Sequence, residues 1–102
     1  MEKDTEKTKV IFRFWKASDN VIAIFPELCG TNEVHTCQSY EHLGQHGSCN
    51  PYMIVDNSRL AKPEEYADLK AELENHCGYN LEVIKRNNQK FIQVRREQLQ
   101  RV

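Results

Sequence analysis

KVIFRFWK at residues 9–16 and VIAIF at residues 21–25, separated by Ala17-Ser18-Asp19-Asn20, decide the fold. In the first run Val10, Phe12 and Phe14 alternate with Ile11, Arg13 and Trp15, the period-two pattern of a strand. The four residues between the runs are turn formers, so the two strands read as an antiparallel hairpin. The second run is apolar on both faces, which predicts a central strand covered above and below. Pro26 is expected to end it, because proline has no N–H to give to a central ladder.

Working outward, residues 1–8 read as a polar, flexible leader and residues 9–95 as a single α+β domain. Residues 96–102 read as a basic C-terminal tail. Glu27–Asn32 reads as a loop, and EVHTCQSY at 33–40 as a strand, placed at a sheet edge because half its positions are polar. A polar loop follows through Cys49, and Tyr52–Val55 reads as a brief strand. Pro63 opens a helix, with Glu64 and Glu65 in the first turn where they complement the helix dipole. Tyr66, Leu69, Leu73 and Cys77 form its apolar stripe, and Gly78 is placed to stop it. YNLEVIK at 79–85, the pair Asn87-Asn88 and KFIQVR at 90–95 read as a second hairpin. The expected order is β-β-β-(β)-α-β-β: a mostly antiparallel sheet with one main helix packed on one face. The opposite face, with Ile11, Trp15, Ile22 and Ile24, is too apolar to leave wet. The segment from Cys29 to Ser58 or a second copy of the chain, a homodimer, would cover it.

The chain has 102 residues, 28% of them charged, and a net charge of −1. No global field therefore recruits nucleic acid or a membrane surface. Charge is uneven along the chain: from Lys85 onward there are six cations against Glu97 alone. That basic edge is a candidate contact for phosphate, although solvated faces of a small domain explain such runs more simply. No apolar run reaches membrane-spanning length. The charged start, Met1–Lys7, lacks the apolar stretch of a signal peptide, so a cytoplasmic location is expected. Its four cysteines then read as thiols or metal ligands rather than disulfides.

The chemistry-bearing residues concentrate in SYEHLGQHGSC, residues 39–49, together with Cys37. Cys37-x4-His42-x3-His46-x2-Cys49 places four zinc-ligand types within 13 residues, an admissible tetrahedral set that lacks the paired Cys-x2-Cys knuckle of most structural zinc sites. A thiol-dependent enzyme is a further reading, with Cys37 (or Cys49) activated by His42 (or His46) and Glu41 orienting the imidazole. All its groups would come from one segment, whereas active sites draw on several. Against both stands a simpler account in which Cys37 is a small buried hydrophobe and the polar residues brace loop backbone. GxxxxGK[ST], GxGxxG, HExxH and DxDxDG are all absent, which removes the common phosphate, dinucleotide, zinc-protease and calcium motifs.

The segments KVIFRFWK, VIAIFPE, CQSYEHLGQHG, AKPEEYADLKAELE and GYNLEVIKR resemble a family of small uncharacterised bacterial proteins, often encoded by phages or other mobile elements. The resemblance spans about residues 9–86 and carries no assigned activity. It implies that Cys37, Ser39, Tyr40, His42, Gly44, Gln45, His46 and Gly47 belong to a motif and that Cys29 and Cys49 do not. It also implies a Thr helix cap where this chain has Lys62, weakening the cap by roughly 1 kcal/mol. A second likeness is between Phe25–Gly30 and the F-P-[ED]-L-x-G turn of antitoxin-type domains. The expectation is a small binding module that engages a protein or nucleic-acid partner, not a membrane, through the 37–49 loop. Cys37, Tyr40, His42, Gln45 and His46 are its candidate contacts, no cofactor is needed, and a zinc protein is the alternative.

Overall fold

A computed structural model describes residues 7–18, 20–41 and 45–100, with Gln45 and His46 described by backbone alone. The fold is α+β. Its elements are β1 (Thr8–Trp15), β2 (Val21–Cys29), β3 (Cys37–Glu41), β4 (Gln45–Cys49), α1 (Pro51–Ile54), a 3₁₀ turn (Val55–Asn57), β5 (Ser58–Leu60), α2 (Pro63–Asn75), β6 (Leu81–Val83) and α3 (Lys90–Gln100). The strands form one six-stranded sheet in the order β4-β3-β2-β1-β5, with β6 also on β1.

The β1–β2 hairpin is central, as its two-sided apolar pattern requires. Phe12 pairs with Ala23 and Arg13 with Ile22. The outer side of β1 is shared: residues 13–15 pair antiparallel with β5, while residues 8–10 pair parallel with β6. Side-chain alternation then builds two cores. On one face Val10, Phe12, Ala23, Phe25 and Tyr40 meet Leu69 and Leu73 of α2 and Leu81 of β6. Phe12 stacks on Tyr66 at 4.4 Å between centroids, and Phe25 stacks on Tyr79 at 5.0 Å. Such side chains stabilise the fold by about 1.5–3 kcal/mol each when fully buried. On the other face Ile11, Ile22, Ile24 and Cys37 are covered by Ile54 of α1. The cover thus comes from within the 29–58 segment. Arg13 secures it by donating to the Ser58 hydroxyl at 2.9 Å and the Ser58 carbonyl at 2.8 Å. Ser58 in turn donates to the Ile54 carbonyl at 2.6 Å.

Five expectations need correction. First, β2 does not stop at Pro26 but runs to Cys29, with an irregularity in its pairing to β3 between Phe25 and Cys29. A proline is tolerated at such a bulge because the ladder needs no donor there. Second, residues 33–36 form a turn rather than strand: the Thr36 hydroxyl donates to the Glu33 carbonyl at 2.8 Å, and the Glu33 amide donates to the Thr31 hydroxyl at 3.0 Å. Third, β3 is not an edge; β4, built from residues expected to be loop, lies outside it. Fourth, Tyr52–Val55 is helical rather than a strand, because Pro51 takes the first helical position and the Asn50 side chain accepts from the Tyr52 amide at 3.0 Å. Fifth, residues 90–100 are a helix, not a return strand. The Asn88 side chain accepts from the Lys90 amide at 2.9 Å, so this Asn opens a helix instead of turning a hairpin.

The Pro63 helix starts as expected and is followed by Gly78 at φ 76°, but it ends at Asn75, so Cys77 lies beyond it and is exposed rather than completing the apolar stripe. Lys62 gives no side-chain cap, yet its amide donates to Glu65 Oε1 at 2.8 Å, which supplies the reciprocal half of a capping box. Among the described residues no helix is long and apolar enough to cross a membrane.

Candidate functional site

The hairpin register sorts the chemistry-bearing residues. Across β3 and β4, Cys37 pairs with Cys49, Ser39 with Gly47, Tyr40 with His46 and Glu41 with Gln45. Because successive strand positions alternate between faces, Cys37, Ser39 and Glu41 lie on the face covered by α1, and Tyr40 on the other. Tyr40 is 2% exposed and its hydroxyl is bonded to Glu72 of α2, so it joins strand to helix inside the first core. Gln45 and His46 occupy register positions of opposite parity, and Cys49 and His46 likewise. His42 lies outside the described residues. The residues expected to act together, Cys37, Tyr40, Gln45 and His46, are therefore divided between the two faces. Among the described residues no group of three or more His, Cys, Asp or Glu is arranged to hold a metal ion.

What the register does bring together is Cys37 and Cys49, whose sulfurs are 3.9 Å apart. Cys37 is fully buried, while Cys49 is partly exposed. The two thiols are driven in opposite directions. Cys37 is pushed up, first by its hydrogen bond with Cys49 and then because it is buried. Cys49 is held down by that same hydrogen bond, with help from Ser39 and from the charge of Arg95. The pair thus consists of a protonated inner thiol bonded to a more acidic outer one. Cys29 lies across the other side of β3, its Cα opposite that of Cys37. Its thiol turns to α3, donating to the Arg95 carbonyl at 3.3 Å.

Cys49 opens into a cleft of ≈ 460 Å³ walled by Trp15, Ile22, Glu41, Met53 and Ile54, with Ser39 and Gly47 along the hairpin. Trp15 Nε1 donates to Glu41 Oε2 at 3.0 Å, fixing the carboxylate at the wall. A second cleft of ≈ 380 Å³ shares Trp15, Glu41 and Asn57 with the first. Met53, 67% exposed, stands at the rim beside exposed Tyr52 and Val55. Among the described residues the cleft lining carries no Lys or Arg.

Arg95 is the least expected member of this region. Its sequence position groups it with the basic edge from Lys85 onward, yet it is fully buried. Its Nε donates to the Val34 carbonyl at 2.8 Å and Nη1 to the Pro26 carbonyl, while Nη2 is buried with no partner among the described residues. Gln98 completes the docking of α3: it donates to the Glu27 carbonyl at 2.7 Å and accepts from the Cys29 amide at 3.4 Å. These polar side chains serve the stretch of β2 that the bulge leaves without ladder partners.

Trp15, Met53 and Arg95 as parts of this region, and the pairing of Cys49 with Cys37, are not foreseen from sequence, and Glu41 is expected only as a partner of His42. The signal for the pairing was the equal spacing of Cys37 and Cys49 about Leu43, which a hairpin converts into cross-strand opposition. The chain matches no family model, no curated protein and no solved structure.

Proposed function

We propose that the chain is a binding module that accepts an extended peptide segment of a protein partner along β4, one apolar side chain of the partner entering the adjoining cleft. The observation that carries this reading is the position of β4. It ends the strand order, so its outer backbone groups have no ladder partner among the described residues, and the cleft runs beside it. An open edge is a template for a further strand, with main-chain bonds supplying affinity and a side pocket supplying selectivity. The cleft wall supports a peptide over nucleic acid. Trp15, Ile22, Met53 and Ile54 are apolar, Glu41 is acidic, and among the described residues lining it there is no Lys or Arg to meet phosphate.

Selection from a displayed library of random peptides against the purified chain tests this. Bound peptides should slow hydrogen exchange at the Gly47–Cys49 amides, and Met53→Asp should weaken them about tenfold, or 1.4 kcal/mol. Peptides that leave β4 exchange unchanged, or single-stranded oligonucleotides that protect it instead, would sink the idea.

A further inference from the structure

We propose that Cys37 and Cys49 form a thiol–disulfide exchange site that reacts with low-molecular-weight disulfides, Cys49 as the attacking thiol and Cys37 as the resolving one. Three independent features of the structure converge on this. Cross-strand opposition of the two residues sets Cα atoms about 4.5–5.5 Å apart, inside the range of about 4.4–6.8 Å that a disulfide spans. With the sulfurs already 3.9 Å apart, side-chain rotation alone brings them to bonding distance. Access is divided between them, because Cys49 lines the cleft whereas Cys37 is fully buried behind it. Only Cys49 can meet a reagent from solution.

The third feature is charge. Arg95 is wholly buried, and among the described residues it has carbonyl partners but no carboxylate. A buried cation without a counter-ion is costly. Both cysteines feel its charge, which favours the thiolate of each. One nitrogen, Nη2, has no hydrogen-bond partner among the described residues. A thiolate formed at either sulfur adds a negative charge within the field of this guanidinium, which has no carboxylate partner among the described residues.

The chemistry balances in two steps. Cys49 releases its proton to solvent and its sulfur attacks one sulfur of the small disulfide. That S–S bond breaks, a mixed disulfide forms on Cys49, and the departing thiolate takes up a proton. Capping Cys49 removes the hydrogen bond that was the largest reason for Cys37 to hold its proton, while Arg95 still favours the Cys37 thiolate. Cys37 then loses its proton, attacks the Cys49 sulfur and expels the second small thiolate, which is protonated in turn. The two protein thiols are oxidised by two electrons to one disulfide, and the small disulfide is reduced to two thiols. The bond would lock the floor of the cleft to β3. This reaction is independent of whether β4 binds a peptide.

The test uses the reduced full chain carrying Cys77→Ser, which removes the exposed competing thiol, and glutathione disulfide as the probe. After alkylation and peptide mapping by mass spectrometry, the expected product joins Cys37 to Cys49 and retains no glutathione. Adding Cys37→Ser should trap one glutathione on Cys49. If that variant lacks a folding transition, Cys49→Ser is read instead, and its Cys37 should take up glutathione roughly tenfold or more slowly than Cys49 reacts in the parent. A parent chain that keeps glutathione on Cys49, links Cys37 to Cys29 or loses no thiols would overturn the proposal. So would a Cys37 that reacts as fast as Cys49 once Cys49 is replaced.

Discussion

At Gly30 the absence of a side chain does structural work that composition does not reveal. A Cβ built there would lie 2.5 Å from the Cys37 carbonyl oxygen and 2.6 Å from the Ser48 Cβ. The chain thus passes against the β3–β4 hairpin with no room for a methyl, beside the cysteine pair. The first obstacle is backbone and cannot rotate away, so Gly30→Ala should cost about 1–3 kcal/mol, the usual penalty for overpacking. Urea denaturation checks this, and a midpoint equal to that of the parent would show that the loop yields freely. Arg95 makes the complementary point about residue type. Its charge groups it with the basic edge from Lys85 onward, but its donors go to the Pro26 carbonyl of β2 and the Val34 carbonyl of the following turn. A residue's place in a fold follows from unmet hydrogen bonds as well as from hydropathy.

Among the elements, α2 and α3 differ in how they declare themselves. α2 shows an apolar stripe, a proline at its start and a glycine past its end, and its structure follows. Its N-terminus is held by Arg59, which donates to both carboxylate oxygens of Glu65 at 2.9 and 2.6 Å and lies 4.3 Å above the Phe14 ring. The Arg59 bonds first, and the Lys62 amide second, hold the Glu65 carboxyl down to about 2 from an ordinary 4.5. The folded value is the lower one, so this contribution to stability is present above the unfolded value and lost as pH falls from about 4.5 to about 2. Glu65→Gln should therefore be less stable than the parent at neutral pH, and chemical denaturation across that window should show the difference closing. A constant difference at every pH would place the effect elsewhere. α3 hides its inner face. Phe91, Arg95 and Gln98 point inward at helical spacing, but two of the three are polar. KFIQVR then shows only alternation, and alternation reads as a strand.

Over the whole molecule, one sheet separates two cores that share no side chains: Leu69, Leu73 and Leu81 complete one, Ile54 the other. Leu73→Ala and Ile54→Ala should each cost about 2–5 kcal/mol. Because the sheet lies between them, the double variant should lose their sum to within about 0.5 kcal/mol. A larger departure in equilibrium unfolding would mean that the sheet transmits packing from face to face. The same two-sidedness divided the candidate residues: a segment that looks like one polar cluster in sequence becomes a strand pair with alternate residues on opposite faces. The central hairpin, the Pro63 helix and the α+β class were legible in the sequence because each rests on a local period or a terminal signal within a few residues. The helix at 90–100, the course of β2 beyond Pro26, the burial of Arg95 and the opposition of Cys37 to Cys49 were decided by tertiary structure alone. Each depends on which backbone groups and which strand lie opposite, and that is set by segments far away along the chain.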